Sequence, residues 1–112
     1  MNISKYALAT LAVAVPFAAN ADCSATGCYN VFVDQIQMTS TGNVWIQTSG
    51  TETLADCTPD SGILLQVAVS NPHMKEIYSL LLAAQLADKL VGIVINQGTS
   101  PCTVAYVTLN RQ

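Results

Sequence analysis

The chain has 112 residues, of which 51% are hydrophobic and 10% charged, with a formal net charge of −3. That length suits one small domain. Four cations against seven acids exclude the clustered basic surface that nucleic-acid binding requires, and no basic amphipathic stretch suits a membrane surface.

Met1–Ala21 reads as a cleaved secretory signal. Lys5 gives a positive start, ALATLAVAVPFAA is an apolar run, and the ANA before Asp22 has the A-x-A form of a cleavage site. The run is too short and wrongly flanked to be a stable membrane span. Removing 21 of the 112 residues leaves 91, so residues 22–112 form the expected mature domain. Its three cations, Lys75, Lys89 and Arg111, face seven acids, a net charge of −4. The protein is expected to be periplasmic or secreted.

Cys23, Cys28, Cys57 and Cys102 all follow the cleavage point, and an even count in a short exported chain implies disulfides. Of the three possible pairings, Cys23–Cys28 with Cys57–Cys102 is favoured: one closes a tight terminal loop, the other ties a mid-chain loop to the last strand. A zinc site fits poorly, because the C-x4-C spacing has no histidine beside it.

Tyr29–Met38 is rich in β-branched and aromatic residues, but its alternation changes phase between Val33 and Ile36. A bulge near Asp34–Gln35 would account for the switch. A turn at Thr39–Asn43 leads into a second strand, Val44–Ser49, with Val44, Ile46 and Thr48 in one phase and Trp45, Gln47 and Ser49 in the other. After a polar loop carrying Cys57, Ile63–Val69 reads as a largely buried third strand. A helix follows from Pro72 to about Asp88, with Asn71 as its cap and Pro72 in its first turn. Leu90–Asn96 and Cys102–Leu109 complete five strands around one helix. This order, βββαββ, predicts a mainly β domain, a five-stranded OB-like Greek-key barrel. A small α+β sheet covered by one helix is the alternative.

On the helix, Met74, Ile77, Tyr78, Leu81 and Leu82 form the core stripe, widened by Leu80 and Leu86. Ser79, Ala83 and Ala87 make a stripe of small side chains on the other side. They are either plain solvent-facing helix formers or a surface that lets a second subunit approach closely.

Chemistry-bearing residues are sparse, and no enzyme activity is expected. His73, the lone histidine, has no fixed acid or nucleophile beside it. Glu52, Asp56 and Asp60 cluster around Cys57, but they match no calcium-loop spacing and lie in a solvated loop. No cofactor or metal is expected. Trp45, Gln47, Thr48 and Ser49 are the ligand-binding candidates, since an aromatic ring beside amides and hydroxyls is suited to sugars. The competing reading packs Trp45 beneath a loop.

The stretch IYSLLLAAQLADKLVGIVIN, Ile77–Asn96, resembles the B subunits of subtilase-cytotoxin-like and pertussis-like toxins, in which an aromatic-rich helix runs through a short polar turn into a strand of valines and isoleucines. It more closely resembles small periplasmic or secreted proteins of Gram-negative bacteria, which share a helix like YSLLLAA, a strand and then a cysteine placed like Cys102. The likeness covers about half of the mature chain. It implies an OB-like barrel, ring assembly through the helix and glycan binding on an outer face. No sugar-binding residue of the toxin family matches a position here, so none is carried over. The expected function is a non-enzymatic exported binding module, glycan-binding and self-assembling in the manner of a toxin B subunit. The alternative is a periplasmic structural or inhibitory protein that works through protein contacts. Expected partners are therefore a glycan or another secreted protein, with homo-oligomerisation through Ser79, Ala83 and Ala87.

Overall fold

The computed structural model describes residues 21–112, so the signal segment expected at the start lies outside the described residues except for Ala21. The elements are β1 (Asp22–Ser24), β2 (Gly27–Val31), β3 (Val33–Met38), β4 (Val44–Thr48), a 3₁₀ turn (Glu52–Leu54), β5 (Leu65–Val67), α1 (Met74–Leu86), β6 (Val91–Asn96) and β7 (Thr103–Thr108). All seven strands join one sheet in the order β1-β2-β6-β7-β5-β4-β3. Every pair is antiparallel except β5 with β7. Among the described residues, no helix is long and apolar enough to cross a membrane.

The sheet curls because of how β2 meets β3. In the sheet order they stand five places apart, which in a flat sheet would be about 24 Å. Only Phe32 separates them along the chain, and one residue spans about 3.5 Å. The two ends of the sheet must therefore come round towards each other. Local geometry makes the bend: Asn30 sits at φ 54°, a conformation asparagine tolerates better than most residues. The pairing register also shifts between Cys28 and Val31 and again between Val33 and Gln35. Bulges of this kind bend and twist a strand. The second shift is the bulge expected near Asp34–Gln35.

The strand count differs from the expected five. The single strand expected at Tyr29–Met38 is two, broken at Phe32, with the first half paired to β6 and the second to β4. A further strand, β1, folds back on β2 as a hairpin in which Cys23 stands opposite Cys28. That pair forms one disulfide and Cys57–Cys102 the other, the favoured pairing. Gly27 lets the hairpin lie against β6, since a Cβ there would run into the carbonyl oxygen of Ile93. The third strand is also shorter than expected. Only Leu65–Val67 pairs with other strands, Leu64 bridging locally to Asp60, and Ile63 and Val69 flank it 42% and 53% exposed.

The core is the concave side of the sheet closed by α1. Val31, Val33, Val44, Ile46, Leu65, Val67, Ile93, Ile95 and Val104 meet Ile77, Leu81 and Ala84 of the helix. The helix begins two residues later than expected. Asn71 still serves its start: its Oδ1 accepts the His73 N–H at 2.8 Å and its carbonyl accepts the Met74 N–H at 3.1 Å. At the other end, Asp88 takes φ 56°. Asp88 N–H donates to Gln85 O at 3.2 Å and Lys89 N–H to Ala84 O at 2.9 Å, the Schellman pattern that ends a helix. Leu86 does not widen the core stripe; it is 79% exposed. Two residues beyond buried Ala84 put it about 200° round the helix, on the outer side.

Asp22 fastens β1 to the turn after β4. Its Oδ1 accepts the Thr51 N–H at 2.7 Å and the Cys23 N–H at 2.8 Å. These bonds, Thr51's foremost, hold its carboxyl below the ordinary value of 3.8. A depressed folded-state pKa contributes stability that is present above pH 3.8 and is lost as pH falls through the folded value. Asp22→Asn should therefore lower the unfolding midpoint near neutral pH, with the difference from wild type closing towards pH 2. Thermal unfolding of both proteins across an acid series measures it.

Candidate functional site

Strand alternation turns one residue of every β pair away from the core, and the register lines these residues up across the sheet. Gln37 of β3 stands opposite Trp45 of β4, Trp45 opposite Gln66 of β5, Gln66 opposite Thr103 of β7, and Thr103 opposite Asn96 of β6. Their neighbours Val44, Ile46, Leu65, Val67, Val104 and Ile95 are buried, so the row itself lies on the convex, outer side. Gln37 and Asn96 are exposed; Trp45, Gln66 and Thr103 are half-buried. The row spans four strand spacings, about 19 Å along the curve. It contains one indole, three amides, one hydroxyl and no ionisable group.

Beside the row, between β5 and β7, lies a hollow with a topological cause. The parallel strands β5 and β7 pair at one position only, Gln66 with Thr103. Beyond it the chain from Ala68 to His73 turns away into α1, leaving a wedge in the sheet wall. Asn71 spans its base, Nδ2 donating to the Val104 carbonyl at 3.4 Å. The hollow has a volume of about 460 Å³ and is lined by Ser70, Asn71, His73, Asn96 and Thr103 over an apolar wall that includes Val104. Asn96 Nδ2 donates to Thr103 Oγ1 at 3.0 Å, and Thr99 Oγ1 donates to Asn96 O at 2.8 Å. These bonds fix Asn96 and Thr103 at the rim.

The four ligand candidates do not form one surface. Trp45 and Gln47 share the outer side of β4, half-buried, with Gln35 across from Gln47. Thr48 is 3% exposed; its N–H and hydroxyl both donate to Glu52 Oε2 at 2.7 Å, and its Oγ1 accepts the Gly50 N–H at 3.1 Å. Ser49 is exposed, but its Oγ accepts the Phe32 N–H at 2.9 Å and its N–H donates to Phe32 O at 3.0 Å. Thr48 thus holds the buried carboxylate of the 3₁₀ turn, and Ser49 holds the junction of β2 with β3. Thr48→Val should cost about 2 kcal/mol, since it leaves the Glu52 oxygen short of a donor, and urea unfolding measures the loss.

Ser79, Ala83 and Ala87 are all exposed, with the Ser79 hydroxyl donating to Lys75 O at 2.8 Å. The loop acids are dispersed. Glu52 is buried against Thr48, Asp56 accepts from Gln97 Nε2 at 3.3 Å, and Asp60 accepts from the Ser61 hydroxyl at 3.4 Å. Among the described residues, no three His, Cys, Asp or Glu side chains group as a metal site would. His73 lies on the rim of the hollow.

Gln37, Gln66, Asn96 and Thr103 escaped the sequence reading. Each is a polar residue in the outward phase of its strand, most visibly Gln66, alone among apolar neighbours in ILLQVAV. Phase could have flagged them singly. Their alignment depends on strand order, which brings β7 beside β5. No family model matches the chain, and no curated protein matches it either.

Proposed function

We propose that the protein is a non-enzymatic, exported binding module that takes a carbohydrate chain on the outer side of its barrel. Counting β2 and β3 as one bent strand, the sheet runs first, second, third, fifth, fourth and back to the first, with α1 between the third and fourth. On that count the domain is an OB-type Greek-key barrel with β1 as an added hairpin. Barrels of this type take oligosaccharides or oligonucleotides on the face of their second and third strands. Here those are β4 and β5, which carry Trp45 and Gln66. Acidic composition argues against the oligonucleotide. The two disulfides suit the oxidising periplasm or exterior.

The observation that carries this reading is the uncharged row around a half-buried tryptophan. An indole offers its face to the C–H side of a sugar ring, while flanking amides hydrogen-bond the hydroxyls. Trp45→Ala should weaken glycan binding at least tenfold with circular dichroism unchanged, and Trp45→Phe should keep part of the affinity. Glycan-array screening followed by calorimetry tests it. An array on which the wild type binds nothing, or affinity indifferent to Trp45→Ala, refutes it.

The exposed Leu86 favours a second reading. It lies beside Ala83 and Ala87 on an outer helix side with few charges, which suits contact with another protein or a second copy. Light scattering decides the second-copy form: a one-chain mass at micromolar concentration removes it.

A further inference from the structure

We infer that the free edge of β3 pairs with the same edge of a second copy, antiparallel and across a two-fold axis, so that two barrels share one sheet. This is independent of the carbohydrate reading, and it puts the second copy on a strand edge rather than on the outer side of α1.

Three observations carry it. First, β3 presents open backbone groups. It is the last strand of the sheet and pairs with β4 alone. Thr39 N–H donates to Asn43 O on the β4 side, so by alternation Gln37 and Gln35 also turn their backbone groups to β4. Ile36 and Met38 turn theirs to the free side. The carbonyl of Asp34, in the same outward phase, accepts Gln85 Nε2 at 3.3 Å. Among the described residues, nothing bonds the backbone of Ile36 or Met38 on that side. Second, the edge is unguarded. Sheets protect their edges with very short strands, prolines, charges or bulges. At the other end β1 is only three residues long. β3 has six residues, and its bulge lies at the Val33 end. From Gln35 to Thr51 the chain has no proline and no ionisable side chain, and Met38 is 55% exposed. Two copies of an acidic domain can therefore meet here without like charges facing each other. Third, the edge complements itself. With Ile36 opposite Met38 of the second copy, both open residues of each chain exchange their N–H and C=O groups. Met38 then covers Ile36 of the second copy on the inner side, and the two Gln37 amides meet on the outer side. A two-fold axis at Gln37 makes the contact isologous, the commonest arrangement of soluble dimers. It also joins the two uncharged rows, with the two Trp45 three strand spacings apart, about 14 Å.

The test is the mass of the mature domain by light scattering, from micromolar to millimolar concentration. The variants are Met38→Pro, Gln37→Lys and Leu86→Asp. Proline at 38 removes an outward N–H and leaves the ladder to β4 intact, and lysine at 37 sets like charges directly opposite each other. Both replace exposed residues, and a folding failure in one leaves the other informative. The expected result is a two-chain mass that forms as concentration rises. Met38→Pro and Gln37→Lys should weaken association at least tenfold with circular dichroism unchanged, and Leu86→Asp should leave it within twofold. Gln37→Cys should link two copies on oxidation, because facing residues of such a pair stand about 4.5 Å apart at Cα, within disulfide reach. Gln35→Cys, with the same added thiol but four residues out of register with its own copy, should not. A one-chain mass at every concentration overturns the inference and leaves the edge to a strand of another protein. A folded edge variant that associates within twofold of wild type also overturns it. If Leu86→Asp alone abolishes the two-chain mass, the helix-face reading stands instead. A mass above two chains overturns the two-fold arrangement, and equal linkage through Gln35→Cys overturns the register.

Discussion

Replacing Cys57 and Cys102 together by alanine is expected to destabilise the fold by about 4 kcal/mol. The disulfide closes a separation of 45 residues, and the chain-entropy model assigns a loop of that size about 4 kcal/mol. Against a total of about 5–10 kcal/mol for so small a domain, that is a large share. Alanine is the suitable replacement because Cys102 is fully buried, and a serine hydroxyl there would need a partner. The loss should also reach the candidate site. Cys102 O accepts the Gln66 N–H at 2.7 Å, and Cys102 N–H donates to Thr58 O at 2.9 Å. The disulfide thus ties the start of β7 to the loop at Cys57, next to the backbone bond that joins it to β5, where Thr103 and Gln66 meet. Urea unfolding of the double variant gives the stability. An unchanged midpoint would mean that the sheet holds that junction without the cross-link.

Leu81→Ala is expected to cost about 3 kcal/mol, through lost burial and the cavity left behind. Leu81 is 0% exposed, between Ile77 and Ala84 on the inner side of α1. Leu86→Ala, five residues on, should change stability by less than about 0.5 kcal/mol, because Leu86 is already 79% exposed. Composition is identical in the two variants, so the comparison isolates position on the helix. Denaturant unfolding with unchanged slopes would show that only the native state is affected. Equal losses would mean that Leu86 is covered in solution, by a second copy or by the barrel.

How much of this could be read beforehand depended on whether the cause was local. Alternation in VWIQTS placed β4 to within one residue, and the phase change after Val33 located the bulge. That alternation also put Thr48 in phase with Val44 and Ile46, the buried side where it lies. Choosing it as a ligand candidate set residue type above phase. Ser49 was in the right phase, but a neighbouring backbone already uses its hydroxyl, and a partner 17 residues away leaves no local trace. The break at Phe32 has no local cause of its own. It exists because one half of that segment pairs with β6 and the other with β4. β1 is three residues long and depends on its hairpin partner. The hollow is further still from the local pattern, since it arises where two strands 37 residues apart, at Gln66 and Thr103, cease to pair.

The shared backbone of β2 and β3 also orders events in time. Gly27 finds its partner at Val94, so β2 cannot complete its hydrogen bonding until the chain has been delivered as far as β6. The Cys23–Cys28 hairpin needs only neighbours and can form while the rest is still arriving. Completion of the curled sheet waits for β6 and β7, and contacts this distant in sequence make that step slow. During that interval the N-terminal segment has an unpaired edge, open to pairing with another chain.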